Sequence, residues 1–154
     1  MAIKAKMKVK IRAEGSCPSH ARSDISIRDL QVTIDEPVER GGTNCGPSPT
    51  ETALASLIAC TNVIGHKCAV KLGLDIGHLH ITAVCDFDRR GTTLTEDIAV
   101  PFERIELSVE ADGDVTNADL ARLNAEVTKY CPVSKLFRQA GTEIVETWRV
   151  REGS

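Results

Sequence analysis

No uninterrupted run of 18 apolar residues occurs in the 154-residue chain, and neither sign of charge dominates it. The first absence speaks against a transmembrane helix. The second, a formal charge of −3 from 19 basic and 22 acidic residues, removes any global pull toward nucleic acid or an anionic membrane surface. Internal repeats and low-complexity stretches are also missing. Met1–Lys6 carries charges with no apolar run behind them, so an export signal is not expected and a reducing cytoplasm is. No Cys-x-x-Cys pair exists, and His20, His66, His78 and His80 do not fall at zinc-finger spacings, so neither a disulfide framework nor a structural zinc is expected.

What is present fits a globular protein: 42% hydrophobic and 27% charged residues, enough chain for one domain over 1–154 and too little for two ordinary ones. Ile3, Ala5, Met7, Val9 and Ile11 alternate with Lys4, Lys6, Lys8, Lys10 and Arg12, which predicts a half-buried strand with a solvated basic face. Ile25 and Ile27 lie on odd positions and Leu30, Val32 and Ile34 on even ones. The slip at Arg28-Asp29 predicts two strands joined by a tight turn or bulge. Arg40 to Pro47 has loop chemistry.

Ser48 suits a helix N-cap, Pro49 the first helical position, and Glu51 completes a Ser-x-x-Glu capping box. The helix runs to Leu72 with Gly73 as its stop, and its body is apolar on nearly all sides, which predicts central burial. Gly65 allows close packing or a bend there. Leu79 to Phe87 and Ile105 to Val109 read as strands, Thr116 with Asp119 as a helix start, and Pro132 to Ala140 as a further helix. Glu143 to Val150 reads as a last strand. Strands and helices are segregated, so the fold class is α+β.

Six cysteines remain, at 17, 45, 60, 68, 85 and 131. Cys60 is mid-helix on the face of Ala53, Leu57 and Ile64, where a thiol reads as core unless a cation reaches it. Cys131 precedes a helix-opening proline. It either links two helices or caps the second, and a cap would favour thiolate. Cys68 lies about 12 Å along the helix from Cys60, too far for a bridge, and spacing alone does not assign Cys60 a partner. Cys85 falls on an apolar strand face and reads as core; Cys17 and Cys45 lie in loops. His78 and His80 share the polar face of a strand, where with the lysine stripe they could hold a metal or an anion.

The segment from Gly46 to Thr61 (GPSPTETALASLIACT) resembles the first signature of the OsmC/Ohr family, the osmotically inducible and organic hydroperoxide resistance proteins. Cys131-Pro132-Val133-Ser134 resembles the second, at a similar separation, and the order of elements matches over nearly the whole chain. The resemblance implies an OsmC-like fold, with antiparallel sheets around a long buried central helix, in an intertwined homodimer. It implies a thiol peroxidase of alkyl or lipid hydroperoxides, with Cys60 peroxidatic and Cys131 resolving through a Cys60–Cys131 disulfide. The reductant would be a dithiol, often a protein-bound lipoyl group, with no metal or other cofactor.

In the family an arginine from the N-terminal strands holds the peroxidatic sulfur as thiolate, and a glutamate near the helix start orients that arginine. Arg22 occupies about the right place, with Arg40 the runner-up, while the glycine-rich arginine loop of the hydroperoxide branch is missing. The glutamate's position is Thr50 here; Glu51, one step on and about 100° around the helix, either does that job or closes the capping box. These departures resemble the broader OsmC-like branch. They keep a second reading open, a non-catalytic protein that binds a small apolar or thiol-reactive ligand in the dimer cleft.

Overall fold

A computed structural model describes Ala5 and residues 7–153. It is α+β, with two three-stranded sheets and three helices. The chain divides into two compact units, Met1–Thr52 and Ala53–Ser154, the boundary falling in the first turn of the longest helix.

The first unit is built on an antiparallel meander of β1 (Glu14–Ser16), β2 (Ser23–Ile27) and β3 (Leu30–Ile34). Ile27 pairs with Leu30, so Arg28-Asp29 is a two-residue turn, as the phase slip predicts. Arg28 sits at φ +57, in the left-handed region that favours glycine. The strand expected over residues 3–12 is not found. Ile3, Lys4 and Lys6 lie outside the described residues, and Met7 to Ala13 carry no strand pairing. Met7, Val9 and Ile11 are 84%, 70% and 88% exposed. Alternation marks a segment that can bury one face, but a strand forms only where a neighbour pairs with it, and β1 pairs with β2 from Glu14 onward.

After β3, a buried carboxylate organises the loop. Asp35 accepts hydrogen bonds from the backbone N–H of Glu36 (2.8 Å), Thr43 (3.1 Å) and Cys45 (3.1 Å) and from the Thr43 hydroxyl (2.6 Å). These donors, led by the Thr43 hydroxyl, hold its pKa down to about 2. Gly42 passes so close to the Glu36 carbonyl that any Cβ would overlap it.

In the second unit, β4 (Leu79–Phe87), β5 (Phe102–Ala111) and β6 (Glu143–Val150) form a sheet in that order. The expected antiparallel arrangement holds for β4–β5, but β5–β6 is parallel. The reason is the connection: the chain returns through α2 (Asn117–Tyr130) and α3 (Pro132–Gln139), the long crossover that parallel pairing needs. Ile105, Leu107, Val109 and Ala111 bury one face of β5 completely or nearly so. Leu57, Leu120, Leu123, Val127 and Phe137 join them in one core; each fully buried leucine contributes roughly 1.5–3 kcal/mol. Thr116 and Asp119 make the capping box of α2.

The long helix, α1 (Pro49–Leu72), starts and stops where its punctuation indicates. Ser48 N–H donates to Glu51 Oε2 at 2.8 Å while Glu51 N–H donates to Ser48 Oγ at 3.3 Å. Gly73, at φ +70, ends it. Its burial differs from the expectation. A strip of Leu57, Thr61, Gly65, Cys68 and Ala69 is buried, whereas Val63 is 50% and Val70 82% exposed in the single chain. Gly65 lies against the Leu79 and Trp148 side chains, where a Cβ would stand 3.4 Å from each, an ordinary contact. By length and mean hydropathy (1.4 over an 18-residue window) α1 is also apolar enough to cross a membrane, which the search for an uninterrupted run overlooked. Core helices meet the same criterion, and the buried strip of α1 belongs to the core of the second unit.

Candidate active site

Two sulfurs far apart in sequence meet in the second unit. Cys60 is half-buried on α1, one turn after Leu57 and one before Ile64. Cys131 is fully buried at the junction of α2 and α3 and serves both helices. Pro132 disfavours helical geometry in the residue before it, so Cys131 is extended (φ −70, ψ 108) and the chain turns there. Its backbone N–H closes α2 on the Val127 carbonyl at 2.9 Å. Its sulfur caps α3, accepting the Ser134 N–H at 3.4 Å. The Cys131 thiol donates to Cys60 Sγ at 3.1 Å. A disulfide bond is about 2.05 Å long, so roughly 1 Å of approach separates this contact from a covalent bond.

Burial pushes the Cys131 thiol up, and donation to Cys60 adds to the effect; the N–H groups of Ser134 and Val133 pull the other way and lose. Of the two readings the sequence left open, Cys131 fulfils both, linking α2 to α3 and capping α3, but burial outweighs the cap's pull toward thiolate, and its thiol donates to Cys60. Burial also raises the thiols of Cys68 and Cys85. Cys17 and Cys45 are exposed in the first unit.

The expected helpers, Arg22 and Glu51, belong to the first unit. Arg22 Nε donates to Asp24 Oδ1 at 3.1 Å, and the Thr33 hydroxyl fixes the same oxygen at 3.0 Å. Glu51 is engaged with Ser48 in the capping box, which holds its carboxyl below the usual range. The runner-up, Arg40, is bound to Glu36 at 2.6 Å. Within this unit the carboxylate that holds Arg22 is thus Asp24, which the sequence reading passed over. Asp24 follows Arg22 by two residues at the start of β2, a spacing visible in the sequence once the strand is placed.

Two of the histidines have structural partners. The imidazole of His66 contacts the carbonyls of Asn62 (2.9 Å) and Gly77 (3.1 Å). His78 lies 3.5 Å from Asp112. Among the described residues no three histidine, cysteine or acidic side chains cluster closely enough to hold a metal ion. Trp148 packs on Gly65. A network missed at the sequence level lies behind Cys131, where Arg138 Nε donates to Ser134 Oγ at 3.2 Å. The four-residue spacing of Ser134 and Arg138 on α3 was its available signal.

A protein-family profile described as OsmC-like protein matches residues 41–146, well over half of the chain and including both sulfurs. The chain belongs to the OsmC-like family. Solved structures bear out the OsmC-like fold. The OsmC like protein from Mycoplasma pneumoniae superposes with a TM-score of 0.78 at 17% identity, covering 95% of this chain and 100% of that one. An organic hydroperoxide resistance protein from Elizabethkingia anophelis, with thiocyanate bound, gives 0.71 at 19% identity, covering 96% and 100%. The organic hydroperoxide resistance protein OhrB of Bacillus subtilis gives 0.64 at 16% identity, covering 92% and 98%. No curated protein matches the sequence.

Proposed function

We propose that this OsmC-like protein is a thiol-dependent reductase of organic hydroperoxides, working as one domain over 1–154 in a reducing cytoplasm. The observation that carries the reading is the 3.1 Å contact between Cys60 and the protonated Cys131. The hydroperoxide resistance of relatives sharing the fold supports it. The Cys60 thiolate attacks the terminal peroxide oxygen; the O–O bond breaks, the alkoxide leaves and takes up a proton as the alcohol, and Cys60 becomes a sulfenic acid. Cys131 then gives up its proton and attacks that sulfur. The S–S bond forms, and hydroxide leaves with the proton as water. A dithiol reductant, such as a protein-bound lipoyl group, reduces the disulfide and closes the cycle.

In this reading the role the family gives its arginine falls to Arg22, which Asp24 holds within the first unit. Glu51 supports the site by fixing the start of the helix that carries Cys60. An apolar cleft of about 250 Å³, lined by Ala53, Val100, Pro101, Phe102, Leu136 and Phe137, receives the alkyl group. It is built partly from α1 and α3, the helices that carry or are capped by the two sulfurs. A second copy of the chain covers the exposed Val63 and Val70 of α1. Light scattering at micromolar concentration is expected to give twice the 16.7 kDa chain mass; a monomer contradicts the dimer.

Steady-state consumption of tert-butyl hydroperoxide with a lipoyl dithiol is the test of the activity. Sustained turnover is the expected result. No turnover with any of several dithiols, together with a small molecule retained in the cleft, would favour the non-catalytic binder, the reading for which Thr50 in place of the family's glutamate speaks.

A further inference from the structure

Behind Cys131 stands a charged assembly that neither the sulfur pair nor the fold accounts for. Arg138, on α3, donates from Nε to Ser134 Oγ (3.2 Å), from Nη1 to the Ile144 carbonyl (3.4 Å) and from Nη2 to Glu146 Oε1 (3.5 Å). It thereby ties the first turn of α3 to β6. Ser134 is 2% exposed, and the Glu146 side chain 6%. The pair is a poor source of stability. Glu146 Oε2 and the Trp148 indole N–H are both buried and short of good hydrogen-bond geometry, and burial raises the carboxyl despite the pull of Arg138 and the indole. A buried carboxylate joined by long contacts to a guanidinium whose side chain stays 35% exposed returns little to folding. What the assembly does achieve is geometric. The residue Arg138 grips is the one whose N–H points at the Cys131 sulfur.

We propose that Arg138, braced by Glu146, is a positioning residue for the resolving half of the reaction, holding Ser134 so that its N–H meets the negative charge that develops on Cys131 as it attacks. This rests on the peroxidase reading above. In that step the Cys131 S–H bond breaks, the sulfur bonds to Cys60, and the Cys60 sulfenic S–O bond breaks, its oxygen leaving as water with the proton. The Cys131 thiol starts high, so donors already aimed at its sulfur lower the barrier to ionising it. Positional errors near 1 Å cost about a hundredfold in such steps, and a loosened Ser134 costs a fraction of that. The first half of the reaction, peroxide on Cys60, does not use Cys131 as a nucleophile and is insensitive to the brace. The ionisable groups bonded to the assembly are Cys131 at the cap, which in turn contacts Cys60 on α1, and Glu146 on β6.

The test separates the two halves. Reduced protein is mixed rapidly with one equivalent of tert-butyl hydroperoxide. Loss of the Cys60 thiol and loss of dimedone-reactive sulfenate are followed from pH 5 to 9. In Arg138→Met the second rate is expected to fall about tenfold and its pH midpoint to rise, with the first rate within about twofold of the parent. Arg138→Lys restores part of the loss, and Glu146→Gln falls between. These two milder variants decide the matter should Arg138→Met not fold. An unchanged second rate and pH midpoint in the folded variants overturns the inference. So does an equal fall in both rates. If the parent protein never oxidises Cys60, it is the peroxidase reading that fails, and the brace with it.

Discussion

Cys60→Ser is expected to abolish hydroperoxide consumption, lowering the rate by roughly a thousandfold or more. Serine is nearly isosteric with cysteine, but its oxygen stays protonated at neutral pH and cannot form the sulfenic acid on which the cycle depends. Cys60 is only half-buried, so the fold tolerates the change. The companion substitution separates roles. Cys131→Ser is expected to consume one equivalent of peroxide per chain and then stop, with Cys60 held as a sulfenic acid that dimedone traps. Excess peroxide carries that acid on to the irreversible sulfinic state, because no second thiol waits 3.1 Å away. Peroxide consumption by a colorimetric assay, with intact mass of the products, reads both. Full consumption by Cys60→Ser sinks the assignment of the nucleophile.

The largest expected effect on stability is that of Leu57→Ala. Leu57 is completely buried and precedes Cys60 by one helical turn, in the core shared with Ile105, Leu107 and Leu123. Removing its side chain forfeits transfer free energy and leaves a cavity, a cost of about 2–5 kcal/mol. For a marginally stable domain that is a large fraction of the total. The urea midpoint is expected to drop accordingly with little change in slope. The cavity also lies under the part of α1 that carries Cys60. At temperatures where the variant is still folded, disulfide formation after peroxide is therefore expected to slow as well. A loss below about 1 kcal/mol would mean that α1 is not anchored at Leu57.

Much of this architecture is legible in the chain because local chemistry and tertiary packing agree. The α1 boundaries follow from Ser48, Glu51 and Gly73, whose capping and helix-ending roles need no distant partner. The phase slip at Arg28-Asp29 marks the β2–β3 turn because side-chain alternation is a property of the strand itself. Where the outcome depended on remote partners, the pattern was insufficient. Met7, Val9 and Ile11 alternate as a strand does, yet pairing begins only at Glu14. The parallel β5–β6 pairing follows from the long helical return. Nothing in the alternation of β6 reveals its direction.

The site divides along the same line. That Cys131 caps a helix is readable from the proline after it. That its thiol is nevertheless raised is not, because burial is set by the whole core and outweighs two backbone donors. Glu51 was readable as a cap or as an orienting acid, and its bonds to Ser48 place it at the cap. Asp24 and Arg138 went unnoticed because surface-type residues at ordinary spacings signal nothing until their neighbours are known.

The account stands most directly on the fate of two sulfur atoms. Fully reduced protein is treated with one equivalent of tert-butyl hydroperoxide, alkylated to block the remaining thiols, digested without reductant and mapped by mass spectrometry. The expected product is a peptide pair joined through Cys60 and Cys131, with Cys17, Cys45, Cys68 and Cys85 recovered alkylated. Recovery of Cys60 and Cys131 as alkylated thiols, or of Cys60 bridged to a different cysteine, would contradict the account.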